Sequence, residues 1–253
     1  MCNVIRIAAA GDVHASEAIR ERIDSAFERV EDEADVVLLA GDLTTTGEPE
    51  QAQVLAAACA RLSIPVFAVL GNHDYHAGCD AEIARILSDA GVRVLDRSWA
   101  TCEVAGLQLG VVGTKGFVGG FPGCVLPDFG EPLLREVYAE TTREADAIAR
   151  GLREIVHSDL RIVLLHYAPV EATVMGEPAG IHVLLGSDRL ATPIAECGAD
   201  LVLHGHAHAG SLEGRIGQIP VYNVAVHVTG RDFWIFDLEG VRGRSEVEVE
   251  GPA

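Results

Sequence analysis

The chain has 253 residues, 49% of them hydrophobic, and a formal net charge of −19. That length fits one large domain over residues 1–253, able to bury roughly three-quarters of its unfolded surface. The negative charge disfavours nucleic-acid binding, and the longest apolar runs fall well short of the ~18 residues of a membrane span. The N-terminal residues lack a basic start followed by a long apolar stretch, so we expect a cytoplasmic protein without a signal peptide.

The first half of the chain alternates short apolar runs with amphipathic ones. This alternation predicts parallel strands joined by crossover helices. Strands are predicted at residues 5–10, 36–40, 66–70 and 92–95, and helices at residues 16–31, 49–62 and 81–90. Ser16 is the expected cap of the first helix.

The second half has a different pattern. Residues 98–104 and 107–113 flank Ala105-Gly106, which predicts a β-hairpin. A long amphipathic helix is predicted at residues 131–156, followed by buried strands at 161–165 and 200–203. Residues 219–250 alternate like antiparallel strands, with a turn at Glu239-Gly240. A β/α half and a hairpin-rich half together predict two packed sheets with helices outside.

Polar side chains follow five of the predicted strands at their carboxyl ends. They are Asp12 and His14; Asp42; Asn72, His73 and Asp74; His166; and the histidines of "HGHAH", His204, His206 and His208. In open α/β sheets, ligands bind at this edge. Turns explain Asp and Asn but do not require histidine. The sequence therefore predicts a binding site where these five strands end.

The donor types indicate a metal centre. If the "HGHAH" stretch is extended, its three imidazoles share one side of the chain. Asp, Asn and His without cysteine suit Mn, Fe, Zn, Co or Ni rather than a thiolate zinc site. At least seven donors are too many for one ion with open positions, so two ions that share a carboxylate fit better. His227 belongs to no such group and is expected to be structural.

The series D-x-H, GD, GNHD, a lone histidine after a strand, and GHxH resembles the calcineurin-like metallophosphoesterase superfamily. The stretches "GDLTTTGEPEQ" and "IPVFAVLGNHD" are most similar to its small prokaryotic, cyclic-nucleotide-phosphodiesterase-like branch. The resemblance implies a four-layer α/β/β/α sandwich of two mixed sheets. It implies these ligands: Asp12, His14 and His208 for the first metal; Asn72, His166 and His206 for the second; and Asp42 as the bridge. His73 resembles the catalytic histidine of the family, whereas His204 matches no ligand position and is expected to support the site or the fold.

Two Mn, Fe or Zn ions, divalent or mixed-valence, would clamp a phosphoryl group and provide a metal-bound hydroxide for in-line attack. His73 would donate a proton to the leaving oxygen or stabilise the charge that develops there. The protein Ser/Thr phosphatases of the superfamily carry GDxVDRG and GNHE, and Thr45 and Thr46 stand here in place of their acid and arginine. Protein phosphatase activity is therefore not expected, and the resemblance to the cyclic-nucleotide-phosphodiesterase-like branch implies hydrolysis of a small soluble phosphodiester.

The 114–132 segment is rich in glycine and apolar residues, and we interpret it as a lid or a wall of the substrate site. The alternatives are a surface loop or a dimer contact in a homo-oligomer. Lys115, the only lysine, is a candidate contact for a substrate phosphate, although an ordinary exposed lysine is the alternative. Tyr75 and His76 are candidates for the lining of the entrance.

Other functions stay open from the sequence. Within the superfamily they are a phosphomonoesterase and a pyrophosphate or lipid-pyrophosphate hydrolase. From another class comes a non-catalytic metal-binding scaffold. The presence of His73 disfavours the scaffold, and the acidic charge disfavours contact with an anionic membrane.

Overall fold

A computed structural model of the chain describes residues 3–240, which form thirteen β-strands and seven α-helices. The strands are β1 (Asn3–Ala10), β2 (Val36–Ala40), β3 (Val66–Val69), β4 (Val92–Val94), β5 (Ser98–Val104), β6 (Leu107–Gly113), β7 (Gly120–Phe121), β8 (Cys124–Val125), β9 (Leu160–Leu164), β10 (Leu201–His204), β11 (Glu213–Ile216), β12 (Ile219–Asn223) and β13 (Trp234–Gly240). The helices are α1 (Arg20–Glu33), α2 (Pro49–Cys59), α3 (Asp80–Asp89), α4 (Pro132–Glu154), α5 (His182–Leu185), α6 (Ala191–Cys197) and α7 (Val226–Thr229).

The first sheet has the strand order β13-β1-β2-β3-β4. Strands β1 to β4 run parallel, joined by α1, α2 and α3, while β13 adds to one edge in the antiparallel sense. Every residue of β2 and β3 is buried. Strands covered on both faces read as continuous apolar runs, which is why the sequence predicts them closely.

The second sheet has the order β11-β12-β10-β9-β6-β5. Its central strands β12, β10, β9 and β6 are parallel, and antiparallel strands form both edges. The β5–β6 hairpin has the predicted bounds. Ala105 and Gly106 at its turn both have positive φ, 50° and 75°, as the tight hairpin turn requires.

Side chains of alternating strand residues build three apolar layers between four layers of structure. On β1, Ile5 and Ile7 face the second sheet, whereas Ala8 and Ala10 face α1, α2 and α3. The outer face of the second sheet packs against α4 and α6 through residues such as Ile148. The predicted α/β/β/α sandwich is therefore confirmed. Among residues 3–240, no helix is long and apolar enough to cross a membrane.

Three local predictions differ from the structure. The antiparallel alternation predicted from residue 219 onward is interrupted by α7, and β12 and β13 belong to different sheets. Ser16 precedes a 3₁₀ turn, and the first α-helix begins only at Arg20. The predicted turn at Glu239 and Gly240 is wrong, because both residues belong to β13 and pair with β1. That pairing joins strands more than 200 residues apart in the sequence, so the alternation of apolar and polar residues within β13 could not reveal it. The remainder of the predicted tail, residues 241–250, lies outside the described residues.

The 114–132 segment leaves the end of β6 and contains the short β7–β8 hairpin. Phe121 on β7 is buried in a small cluster with Leu185 and Ala207. Ala207 lies between two predicted metal ligands. The segment therefore packs against a ligand-bearing loop, while Phe129 near its end is 78% exposed.

Candidate metal centre

The loops that follow β1, β2, β3, β9 and β10 meet at one end of the sandwich, because these strands are parallel within each sheet. The two sheets come close at this end. A Cβ on Gly11, after β1, would lie 3.2 Å from the Cα of Gly205, after β10. Donors from both sheets consequently face each other across a narrow gap.

Six of the seven predicted metal ligands form two groups of converging side-chain donors. In each group, one donor atom from every residue lies within 4.8 Å of the others. The first donor cluster consists of Asp12, His14, Asp42 and His208. The second donor cluster consists of Asp42, His166 and His206. Asp42 belongs to both, the position expected of a bridging carboxylate.

Asn72, the seventh predicted ligand, joins the second donor cluster. Its Oδ1 lies 2.9 Å from Nε2 of His166, which in turn lies 3.3 Å from Oδ1 of Asp42. Nδ1 of His166 lies 2.9 Å from the carbonyl of Ala40 and donates its proton there. The Nε2 lone pair then faces two oxygen acceptors. Nε2 of His166, Oδ1 of Asn72 and Oδ1 of Asp42 are thus three acceptors that converge on one point, an arrangement that suits a cation bound between them.

Backbone conformation directs several donors toward the centre. Asp12, His14, Asp42 and His206 have φ values of 58°, 48°, 49° and 71°. This left-handed region is uncommon for residues other than glycine. The condition under which the three "HGHAH" imidazoles would share one side, an extended backbone, is therefore not met. Strand β10 ends at His204, and the chain turns at His206.

Glycines leave the room that the donors occupy. A Cβ on Gly41 would lie 2.5 Å from Nδ1 of His166, and one on Gly71 would lie 2.2 Å from Oδ1 of Asp42. A Cβ on Gly205 would lie 2.3 Å from Oδ2 of Asp12. A side chain at any of these positions would fill the space of a donor.

Burial and hydrogen bonds set the protonation of the donors. Burial lowers the pKa of His14, and burial with the neighbouring His166 lowers that of His206 to about 3. Both imidazoles are therefore neutral at pH 7 and keep a lone pair for a metal. Burial, the largest single influence, favours the protonated form of Asp12. The hydrogen bond from Nε2 of His208 at 2.8 Å, the nearby His166 and the N–H of His206 together outweigh it and lower the pKa of Asp12.

His73, the predicted catalytic residue, lies beside the centre with its side chain 33% exposed. Its backbone N–H donates to Oδ1 of Asp42 at 2.8 Å, and its Nε2 lies 3.9 Å from Oδ2 of the same carboxylate. Nδ1 lies 2.7 Å from the carbonyl of Thr45. That carbonyl orients the ring, so the chain orients His73 without an acidic partner.

Asp74 completes the GNHD motif, and no role of its own was predicted for it. It is fully buried. One carboxylate oxygen accepts from the backbone N–H and hydroxyl of Thr44, and the other from the N–H groups of Leu43 and Gly71. Asp74 therefore ties the loop that carries Asp42 to the loop that carries Asn72.

Three further residues lie around the centre: His204, His227 and Tyr167. His204 is buried, with Nε2 2.8 Å from Oγ1 of Thr173, and its expected supporting role fits this position. His227, expected to be structural, stacks on His208 with the ring centroids 4.1 Å apart. The ring of Tyr167 lies 4.5 Å from that of His206. Tyr167 directly follows the predicted ligand His166, and that adjacency was the signal that could have placed it at the site, whereas His227 follows no motif.

The predicted substrate contacts lie on one side of the centre. Lys115 Nζ lies 4.4, 5.2 and 5.5 Å from the ring centroids of Phe117, Tyr167 and Tyr75. Burial lowers the pKa of this ammonium group. A cavity of about 590 Å³ is lined by Lys115, Tyr75 and Asn72 among others. His76 lies against His73, with ring centroids 4.4 Å apart.

The chain resembles known proteins in sequence and in fold. A family model described as calcineurin-like phosphoesterase matches residues 5–210. The structure is similar to that of phosphopantetheinyl hydrolase from Mycobacterium tuberculosis, with a TM-score of 0.65, 14% identity, and coverage of 92% of this chain and 95% of that one. It is also similar to a 5′-nucleotidase-type protein from Staphylococcus aureus (TM-score 0.56, 17% identity, coverage 87% and 48%). A third similar structure is GAP50 of Plasmodium (TM-score 0.56, 13% identity, coverage 89% and 72%). No curated protein matches the sequence.

Proposed function

Because the chain belongs to the calcineurin-like phosphoesterase family, we propose that it hydrolyses a small phosphodiester with two metal ions. The observation that carries this proposal is the pair of donor clusters joined by Asp42. Two buried carboxylates face the centre, Asp12 and Asp42, so two dications leave it positive and attractive to a phosphate. The donor set of carboxylate, amide and imidazole groups favours Mn, Fe or Zn.

When bound, the metal ions supply Lewis acidity that neutralises the phosphoryl oxygens and activates water. The chain contributes the positions of the donors and a proton donor. The contact of His73 Nδ1 with the Thr45 carbonyl fixes the ring and leaves Nε2 beside the centre. A proton on Nε2 can pass to the leaving oxygen of the ester.

The side chains around the centre favour a diester over a monoester. A phosphodiester carries one negative charge, whereas a monoester at neutral pH approaches two and calls for more cationic contacts. Lys115 is the proposed phosphate contact, and it lies among aromatic rings with a lowered pKa. Thr45 and Thr46 occupy the motif where the protein phosphatases have an acid and an arginine. The net charge of −19 supports a small substrate rather than a nucleic acid.

The test is turnover of matched model esters by protein of known metal content. Purified protein is analysed for metals, reconstituted with Mn, and assayed with bis-p-nitrophenyl phosphate and p-nitrophenyl phosphate. We expect two metal ions per chain and a higher kcat/KM for the diester. A preference for the monoester would replace the diesterase proposal with a phosphomonoesterase, and the absence of any turnover would favour the scaffold.

A substitution of His73 tests its proposed role as the proton donor. His73→Ala should lower kcat by about 10²- to 10⁴-fold, with the metal content unchanged. His157→Ala is the matched control, because His157 is exposed beyond the end of α4, away from the donor loops. An unchanged kcat in His73→Ala would refute the proton-donor role.

A further inference from the structure

A second cavity, which we call the apolar groove, opens beside the second donor cluster. It has a volume of about 660 Å³ and is lined by Phe117, Leu126, Leu134, Ile181, Leu184 and His206 among others. Leu184 and Leu134 are 52% and 49% exposed. The volume lies within the range of small-molecule sites, about 300–1,000 Å³.

The apolar groove borders the metal centre. His206, a member of the second donor cluster, is part of its wall. Tyr167 lies against His206 and lines both the groove and the cavity that contains Lys115. Phe117 also lines both, and its ring meets that of Tyr167 edge-on at 5.9 Å. The two cavities therefore share this aromatic pair and both border the second donor cluster, the charged one at Asn72 and the groove at His206.

The two cavities differ in chemistry. The one that contains Lys115 is rich in charge, with lining residues that include Asp96, Arg97, Glu140 and Glu144. The wall of the apolar groove is aliphatic and aromatic apart from the Tyr167 hydroxyl and the His206 ring. A phosphodiester bound at the centre would direct one substituent into each.

We infer that the substrate is an asymmetric phosphodiester, with an apolar substituent in the apolar groove and a polar substituent in the charged cavity. This inference rests on the proposed function and adds the substrate class. The occupant is a small molecule because the groove has a volume of about 660 Å³ and its wall includes His206, beside which the scissile phosphate would lie. An anionic membrane surface would be repelled by the charge of −19.

The first test varies the apolar substituent. Methyl, butyl and hexyl p-nitrophenyl phosphates are assayed with the Mn-reconstituted protein, and monoalkyl phosphates of the same lengths are titrated by calorimetry. Burial of a methylene contributes about 0.8 kcal/mol, or roughly fourfold in binding. We expect KM and Kd to fall by about two- to fourfold per added methylene, the lower value reflecting incomplete burial.

The second test changes the wall of the groove. Leu184→Ser should raise KM for the hexyl ester by about five- to tenfold and leave kcat and the methyl ester within twofold. Val156→Ser is the control, because Val156 is similarly exposed at 45% but lies beyond the far end of α4. An equal effect of both variants would overturn the inference.

The outcomes separate the two proposals. Diester turnover with a KM independent of chain length refutes the groove and keeps the phosphodiesterase. No diester turnover refutes the phosphodiesterase, and the Kd series then decides the groove: a fall with length supports it and a constant Kd refutes it. Sedimentation with phosphatidylcholine vesicles, combined with constant KM and Kd, would assign the groove to a membrane and overturn the inference.

Discussion

Replacing Asp74 is expected to destabilise the protein far more than an exposed acid would. Its carboxylate accepts four hydrogen bonds from buried donors on two loops, two at each oxygen. Asp74→Ala removes all four and leaves three backbone N–H groups without their partner. Each unsatisfied buried donor costs about 1–3 kcal/mol, so the three together should cost about 3–9 kcal/mol. That is a large part of a total stability of about 5–15 kcal/mol.

Asp74→Asn should destabilise the protein less, because a side-chain amide can replace three of the four hydrogen bonds. The amide oxygen of Asn can serve Leu43 and Gly71, and its NH₂ group can donate to the hydroxyl of Thr44. Only the backbone N–H of Thr44 then loses its acceptor. We expect a loss of about 1–3 kcal/mol, between wild type and Asp74→Ala.

The assay is urea denaturation of the metal-free protein at pH 7, followed by circular dichroism. Asp146→Asn is the matched control, because Asp146 is exposed on α4. Metal titration of folded Asp74→Asn should also show weaker binding, since Asp74 holds the loops of Asp42 and Asn72. A free energy of unfolding within 1 kcal/mol of wild type for Asp74→Ala would refute this reasoning.

Three further predictions concern the donors and their surroundings. Asp42→Asn should lower the occupancy of both metal positions, whereas His206→Ala should lower the occupancy of one, as measured by elemental analysis. Equal losses of metal in the two variants would contradict the role of Asp42 as a bridging ligand. Gly205→Ala places a Cβ 2.3 Å from a carboxylate oxygen of the first donor cluster and should abolish metal binding by calorimetry, whereas Gly180→Ala, which meets open space, should not. Burial lowers the pKa of His204 from 6.5 to about 4, so the unfolded chain binds its proton first, and His204 alone should cost the metal-free protein roughly 3 kcal/mol of stability as pH falls from 6.5 to 4. In His204→Gln the urea-measured slope should be smaller by about 1.4 kcal/mol per pH unit in that window, and an unchanged slope would refute the assignment.

The fold was largely predictable because its signals are local. Strands buried on both faces are short apolar runs, and polar residues with glycine mark where they end. The β5–β6 hairpin was predicted to the residue, since Ala105-Gly106 interrupts two alternating runs. The pairing of β13 with β1 was not predictable, because it depends on the closure of the whole chain.

The residues of the candidate site that directly follow a predicted strand could be predicted from the sequence. All seven predicted ligands converge because parallel strands bring their carboxyl ends together. The roles of Asp74 and His227 depend on which loops touch, and spacing along the sequence does not contain that information. The alternation rule failed for the "HGHAH" stretch because it holds only for extended backbone, and His206 is left-handed.

Left-handed backbone explains why loops rather than strands present the donors. Four of the six non-glycine residues with positive φ among residues 3–240 are predicted ligands. Such conformations cost about 1–3 kcal/mol each and persist where the surrounding structure enforces them. Here the enforcing contacts are those of Asp74 with Leu43 and Thr44, and the N–H of His206 donating to Asp12. Strain held in this way keeps the donors aimed at the gap between the sheets before any metal binds, so binding needs little reorganisation of the chain.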